Sequence, residues 1–231
     1  MRSAAVRQPA QRGKRPESLW ERPVNKLNIR DSSALFIAER EITALKIAKV
    51  KDKPIKGNFD LDHLREIHRF IFEDIYTWAG KLRTVNIAKG NQFCLCNVLE
   101  MYAAGMFKEI SKENYMINHS FNIIPQRLAY YLSEINVLHP FREGNGRTQR
   151  LFIEYLASVG GVEVDFSEVT NREMIIASAN SFAKEYGKMN ALFERICTRT
   201  SDTAKENAVR GFFGIRSNQY KSIAFPGITN I

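Results

Sequence analysis

The segment from His139 to Arg150 constrains the fold of this chain more than any other, and it reads HPFREGNGRTQR. It separates two stretches, 125–138 and 147–156, in which apolar residues recur at helical spacing. The sequence Gly144-Asn145-Gly146 favours a tight turn, because glycine adopts backbone conformations that other residues avoid. We therefore predict two helices joined by a short loop, with His139 at the end of the first helix.

Helical periodicity also dominates the rest of the chain, whereas residues 80–98 follow a different pattern. Leu82 to Ile87 alternate with period two, and Lys89-Gly90-Asn91 then supplies turn chemistry, which predicts a short β-hairpin. The fold class is therefore mainly α, with one short β-hairpin. The predicted helices cover residues 31–50, 60–76, 99–113, 125–138, 145–159, 171–186 and 188–199.

The length and composition indicate one globular domain rather than a membrane or secreted protein. A chain of 231 residues with 44% hydrophobic content can bury an ordinary core. Three cysteines are too few for a disulfide framework, which favours a reducing, cytoplasmic setting. There is no apolar run long enough for a membrane helix, and no apolar block follows the basic N-terminus as a secretory signal requires.

The formal charge of +9 raises the question of a nucleic-acid partner. Most of that charge lies in the two tails, so the centre of the chain carries little excess. We interpret residues 1–24 as a basic, disordered arm and residues 25–200 as the folded domain. Residues 201–231 form an extension of unknown role, and direct nucleic-acid binding is not favoured.

The side chains of the central segment suit a site for a metal-bound polyphosphate. Backbone N–H groups of residues 144–146, at a helix N-terminus, can surround an anion. His139 can accept a proton, and Glu143 offers the hard oxygen ligand that Mg²⁺ prefers. Arg147 and Arg150 lie three apart, so both can reach the outer phosphates. Each feature alone is more often structural, but their joint occurrence at this spacing is specific.

These residues resemble the signature of the Fic family, H-x-F-x-[DE]-G-N-G-R-x-x-R. Every defined position is filled, and residues 75–83 and the hairpin also resemble the segments that precede the signature in Fic domains. The resemblance covers roughly residues 25–200. It implies a mainly α-helical domain that transfers AMP from ATP, with Mg²⁺, to a hydroxyl side chain of another protein and releases pyrophosphate.

The resemblance also assigns roles to individual residues. His139 is the expected general base, and Glu143 the expected Mg²⁺ ligand. The hairpin is expected to be a flap that pairs with an extended stretch of the target, although from the residues alone it could simply cap the core. The expected ATP-binding residues are Lys89, Gly90, Gly144, Asn145, Gly146, Arg147 and Arg150. The expected flap residues are Thr84, Val85, Asn86, Ile87 and Ala88.

Regulation in this family implies a helix with the pattern [ST]-x-x-x-E-[GN], whose glutamate would pair with a motif arginine, here Arg147. The chain contains no full match, since Ser181 to Tyr186 and Asp202 to Asn207 each depart from it. Our hypothesis is that the chain is the toxin half of a toxin-antitoxin pair, inhibited by a small antitoxin that supplies the glutamate. Inhibition through Glu206 is the internal alternative.

Several alternatives remain open at the level of sequence. The target is expected to be a topoisomerase subunit in the bacterial cytoplasm, whereas an effector exported into a host cell is the second interpretation. The same phosphate site could also transfer UMP, phosphocholine or a phosphate group. Removal of AMP from modified proteins would need an inhibitory-type glutamate, which the sequence does not show.

Overall fold

The computed structural model describes residues 25–224 of the chain. The helices are α1 (Ser32–Asp52), α2 (Leu61–Phe72), α3 (Leu99–Lys112), α4 (Ile124–Leu138), α5 (Asn145–Gly160), α6 (Asn171–Phe182), α7 (Gly187–Ile196), α8 (Asp202–Phe213) and α9 (Ser217–Ala224). The strands are β1 (Ala88–Lys89), β2 (Asn91–Gln92), β3 (Val162–Val164) and β4 (Cys197–Arg199). Across this range, no helix is both long and apolar enough to cross a membrane.

Local capping explains where several helices begin and end. Asp31 accepts a hydrogen bond from the Ala34 N–H (2.8 Å) at the start of α1, and Asp60 accepts one from the His63 N–H (2.8 Å) at the start of α2. Such caps are worth about 0.5–2 kcal/mol each. At the C-terminal end of α5, Gly161 adopts the left-handed conformation (φ 84°) that terminates the helix. Short polar residues and glycine therefore set these boundaries.

Helix α5 is the centre of the core and carries the signature at its N-terminus. Its side chains Phe152, Ile153 and Leu156 are fully buried. It packs against α2, α4 and α8, and α4 packs in turn against α7. Burying a large apolar side chain contributes about 1.5–3 kcal/mol, so this packing fixes the direction of α5. The site therefore lies at one end of a rigid, central helix.

The prediction of a mainly α fold with a hairpin is confirmed, and the structure adds a second antiparallel pair. Strands β3 and β4 pair with Val162 opposite Arg199. The prediction of a helix to residue 199 is therefore wrong at its end, because Cys197–Arg199 forms a strand instead. Helix α2 also ends at Phe72 rather than at residue 76. The arm predicted for residues 1–24 lies outside the described residues.

Residues 202–224 form α8 and α9, which were not predicted. Helix α8 begins at the Ser201 cap and contributes Val209 and Phe212 to the core. Its Lys205 lies against Gly161, at the C-terminal end of α5. This part of the extension is therefore packed onto the central helix, at the end opposite the signature.

Candidate active site

The loop between α4 and α5 is built from two residues in the left-handed backbone region. His139 (φ 43°, ψ 58°) ends α4, and its N–H donates to the Ile135 carbonyl (3.0 Å). Gly144 (φ 79°) begins α5, and a Cβ atom there would clash with the ring of Phe72. Glycine is therefore required at 144 for conformation and for space. Phe141 is fully buried and anchors the loop in the core.

The Asn145 side chain closes this loop on itself. Its Oδ1 accepts from the Phe141 N–H (2.9 Å), and its Nδ2 donates to the Phe141 carbonyl (2.7 Å). The side chain is only 5% exposed. By helix geometry the first N–H groups of α5 have no intrahelical acceptor, so they are available for an anion. The Asn145 amide thus shapes the loop, and the backbone of α5 offers the donors.

His68 on α2 fixes the same loop from the core, a role that the sequence did not suggest. Its Nδ1 accepts from the Gly80 N–H (2.8 Å), so Nε2 carries the proton and donates to the Glu143 carbonyl (3.0 Å). Its ring stacks on Phe141 with centroids 3.9 Å apart. Burial lowers the pKa of His68 to about 4, so the imidazole is neutral. In the sequence, His68 is hidden within the apolar stripe of α2.

Arg83 joins the loop between α4 and α5 to the hairpin. Its Nε donates to the His139 carbonyl (2.8 Å), Nη1 to the Val85 carbonyl (2.8 Å) and Nη2 to the Cys94 carbonyl. Its own N–H donates to the Pro140 carbonyl (2.9 Å). Arg83 is 5% exposed, and burial lowers its pKa. One buried guanidinium therefore holds both segments at a fixed distance.

The imidazole of His139 is held in its neutral form. Its ring stacks face to face on Phe93, with centroids 3.8 Å apart and planes at 12°. Its Nδ1 is buried without a well-formed hydrogen bond to any residue in the range 25–224. The nearby backbone of Asn136 favours the charged imidazole, but this effect is the smaller one. Burial, with smaller contributions from Lys89 and Arg83, lowers the pKa of His139 to about 3. A neutral imidazole can accept a proton at physiological pH.

The hairpin is present but shorter than its alternating sequence suggested. Ala88 pairs with Gln92 and Lys89 with Asn91, around an exposed Gly90 (φ 78°). Residues 82–87 do not form a strand, because Arg83 bonds to the loop between α4 and α5 instead. Of the expected flap residues, Ile87 is half-buried, and Thr84, Val85, Asn86 and Ala88 are exposed.

The two arginines expected to bind phosphate differ in their surroundings. Arg147 forms an ion pair with Glu39 of α1, and its Nη1 donates to the Thr43 hydroxyl (2.9 Å). Arg150 forms no hydrogen bond or close ion pair with any described residue. Burial, followed by the charge of Arg147, lowers its pKa, and the charge of Glu154 opposes this shift. The contact between Arg147 and Glu39 was not predicted, because Glu39 does not match the pattern [ST]-x-x-x-E-[GN]. Leu35 lies four residues before it and Arg40 directly after it.

Glu143 and Glu206 have different neighbours. Glu143 is exposed at the mouth of the site, and its Oε1 accepts from the Gly144 N–H (3.0 Å).

Glu206, the internal alternative for the inhibitory glutamate, accepts from the Ser217 hydroxyl, and its Oε1 lies 3.7 Å from Nη1 of Arg210. Because the adjacent Lys205 lies at the far end of α5, Glu206 does not reach Arg147 in this arrangement. Ser181 is buried in α6.

The comparisons with known proteins match this architecture. A model of the Fic/DOC family matches residues 58–157. VbhT of Bartonella schoenbuchensis, named a protein adenylyltransferase, is 37% identical over 188 residues, which cover 81% of this chain and 39% of VbhT. An Escherichia coli K12 protein named "Probable protein adenylyltransferase Fic" is 33% identical over 180 residues, covering 78% of this chain and 89% of that protein. The chain therefore belongs to the Fic/DOC family.

Solved structures confirm the fold. BepC of Bartonella tribocorum, solved with bound AMPPNP, gives a TM-score of 0.73 at 24% identity, covering 77% of this chain and 93% of that one. The N-terminal Fic domain of a VirB-translocated effector of Bartonella quintana, solved with bound ADP, gives 0.75 at 24% identity, covering 80% and 95%. The helical bundle and its hairpin are thus those of a Fic domain.

Proposed function

We propose that this chain transfers AMP from ATP to a hydroxyl side chain of a target protein. The observation that carries the proposal is the juxtaposition of a neutral, half-buried His139 with the anion-binding N-terminus of α5. The adenylyltransferase names of the relatives and the nucleotides bound in the similar structures support it. The substrates are then ATP and a protein hydroxyl, and the products are AMP-protein and pyrophosphate.

In this reaction His139 removes the proton from the target hydroxyl as its oxygen attacks the α-phosphorus of ATP. The bond from that phosphorus to the bridging oxygen breaks, and pyrophosphate leaves with the electron pair. The cations Lys89 and Arg83 help to keep the pKa of His139 low. The phosphate anion offsets their charge and raises this pKa, so His139 becomes a stronger base when ATP is bound.

The residues at the mouth of the site fit a Mg²⁺ ion that is held mainly by phosphate oxygens. Within residues 25–224, no group of three or more His, Cys, Asp or Glu side chains could form a complete metal cage. Glu143 offers one exposed carboxylate beside the α5 N-terminus, which matches the few protein ligands that Mg²⁺ takes in nucleotide sites. When bound, Mg²⁺ neutralises charge on the outer phosphates.

The exposed hairpin gives the target a place to bind. Short strands with free edges can pair with an extended segment of another chain, and main-chain hydrogen bonds then place its hydroxyl near His139. We propose residues 84–88 for this contact, with Lys89 and Gly90 facing the nucleotide. A topoisomerase subunit in the bacterial cytoplasm is the proposed target, and a host protein reached by export is the alternative.

A small antitoxin remains the proposed regulator. Arg147 is already paired with Glu39, whereas Arg150 forms no ion pair with a described residue. We therefore propose that the glutamate of the antitoxin pairs with Arg150. An acidic side chain there would occupy the place of the outer phosphates. Such an antitoxin should therefore lower the affinity for ATP while leaving the affinity for AMP nearly unchanged.

The test uses ATP labelled at the α- or the γ-phosphate, with Mg²⁺ and a bacterial lysate. We expect a labelled protein band with the α label only. In His139→Ala, the rate of labelling should fall by at least about 10²-fold. The matched control is His119→Ala, a half-buried histidine that lies beside Glu113 (3.8 Å). A band with the γ label would show phosphate transfer, and full activity of His139→Ala would exclude it as the base.

A further inference from the structure

Helix α1 supplies part of the site through Glu39 and Thr43, which lie one turn apart on its inner face. Glu39 is 8% exposed and Thr43 is 1% exposed. They engage the two terminal nitrogens of Arg147, one each. The guanidinium carbon also lies 4.8 Å from the centre of the Phe72 ring. Arg147 is thus held at both terminal nitrogens and on one face.

The Glu39 carboxylate has a second partner, which completes its hydrogen bonding. The Tyr76 hydroxyl donates to the oxygen of Glu39 that does not contact Arg147. If ATP pulled Arg147 away, Glu39 would be left as a buried carboxylate with one neutral partner, which is unfavourable. Each terminal nitrogen of a guanidinium carries two hydrogens. Arg147 can therefore donate to a phosphate while it stays bound to α1.

We propose that Glu39 and Thr43 are positioning residues, which hold the Arg147 guanidinium where it meets the outer phosphates of ATP. This inference rests on the proposed phosphate-binding role of Arg147. Arg150, with no ion pair among the described residues, is free to adjust to the nucleotide, whereas Arg147 is fixed by α1. A cation at a fixed place selects a nucleoside triphosphate over a monophosphate, because only the longer ligand reaches it.

The location of α1 in the chain makes this contact informative. Glu39 and Thr43 precede residues 58–157, the stretch that the family model matches. Glu39 lies 108 residues before Arg147 in the sequence. The segment before the matched stretch therefore contributes directly to the signature.

The test compares Glu39→Gln and Thr43→Val with Glu41→Gln, which removes an exposed carboxylate from the same helix. The measurements are kcat and KM for ATP in AMP transfer, and Kd for Mg-ATP and for AMP by calorimetry. For Glu39→Gln we expect KM and Kd for ATP to rise roughly tenfold, as for one lost charge-assisted hydrogen bond. Kd for AMP should stay unchanged, as should every value for Glu41→Gln.

Two results would overturn the inference. Higher activity in Glu39→Gln would mean that Glu39 competes with ATP for Arg147 and is inhibitory. Unchanged ATP and AMP affinities in a folded Glu39→Gln would mean that the contact has no effect on the site. If Glu39→Gln does not fold, Thr43→Val carries the same test, with an expected rise of roughly tenfold, because the lost hydrogen bond has a charged donor.

A further variant separates this inference from the proposed function. In Arg147→Ala, the preference for ATP over AMP should fall at least as far as in Glu39→Gln. If Arg147→Ala keeps that preference, the proposed phosphate-binding role of Arg147 is wrong. The proposed transfer of AMP is tested separately, by the labelling experiment.

Discussion

The loop between α4 and α5, residues 139–144, and the hairpin, residues 84–95, are neighbours built in opposite ways. The loop is held by buried side chains, among them His68, Arg83 and Asn145. The hairpin has strands of two residues each, all exposed. The buried contacts suit the loop to the proposed chemistry on a small ligand, whereas the exposed strands of the hairpin suit the proposed pairing with another chain.

Two glycines with nearly the same φ test the contrast between the loop and the hairpin most strongly. Gly144 (φ 79°) lies against Phe72, whereas Gly90 (φ 78°) has nothing within 4 Å of an added Cβ. Gly144→Ala should lower the free energy of unfolding by about 3 kcal/mol or more, from strain and overpacking, and abolish transfer. Gly90→Ala should cost about 1 kcal/mol, from strain alone. Urea unfolding measures both, and equal costs would contradict the contrast.

Arg83 is the connection between the two regions, so its loss should affect both. Arg83→Met leaves the carbonyls of His139, Val85 and Cys94 without this donor. We expect a loss of about 2–4 kcal/mol in the free energy of unfolding, together with faster amide exchange in the loop and in the hairpin. Lys81→Met, at an exposed neighbour, is the control. Faster exchange in only one region would mean that Arg83 does not couple them.

Acid should lower the stability of the fold through His68, which supports the loop. The pKa of His68 is about 4 in the fold, below its ordinary value of 6.5, so the unfolded chain binds more protons between these pH values. The free energy of unfolding therefore falls as pH drops from 6.5 towards 4, by up to about 1.4 kcal/mol per pH unit. Unfolding in urea at pH 6.5 and pH 5 measures it. His68→Gln should show a shallower slope, and an equal slope would count against His68.

The smallest expected effect belongs to the hairpin edge. Val85→Pro removes one backbone N–H at an exposed residue and keeps the Val85 carbonyl to which Arg83 donates. If the target pairs there, its KM should rise about tenfold for one or two lost backbone bonds, while KM for ATP and the unfolding midpoint stay the same. Thr84→Ser is a mild control that keeps the backbone donor. An unchanged KM for the target would place its binding elsewhere.

The sequence was sufficient for the parts of the site that depend on local pattern. Apolar periodicity located the helices around the loop, and the spacing of His139, the glycines and the arginines identified the signature. The supporting contacts could not be read in this way, because they join distant residues. His68 and the Glu143 carbonyl lie 75 residues apart, and Glu39 and Arg147 lie 108 apart. The β3–β4 pairing was missed for the same reason.

The two hydrogen bonds between Asn145 and Phe141 have a consequence for chemical ageing. An Asn-Gly sequence deamidates readily when the glycine nitrogen can attack the side-chain carbonyl. Here that carbonyl oxygen accepts from the Phe141 N–H (2.9 Å), and Gly146 is already within α5. Attack requires the loop to open, so the rate at which Asn145 deamidates in stored protein is a clock for that opening. Each deamidation replaces the amide donor of Asn145 with a carboxylate that faces the Phe141 carbonyl. The active fraction of a stored sample should therefore fall at the rate at which this loop opens.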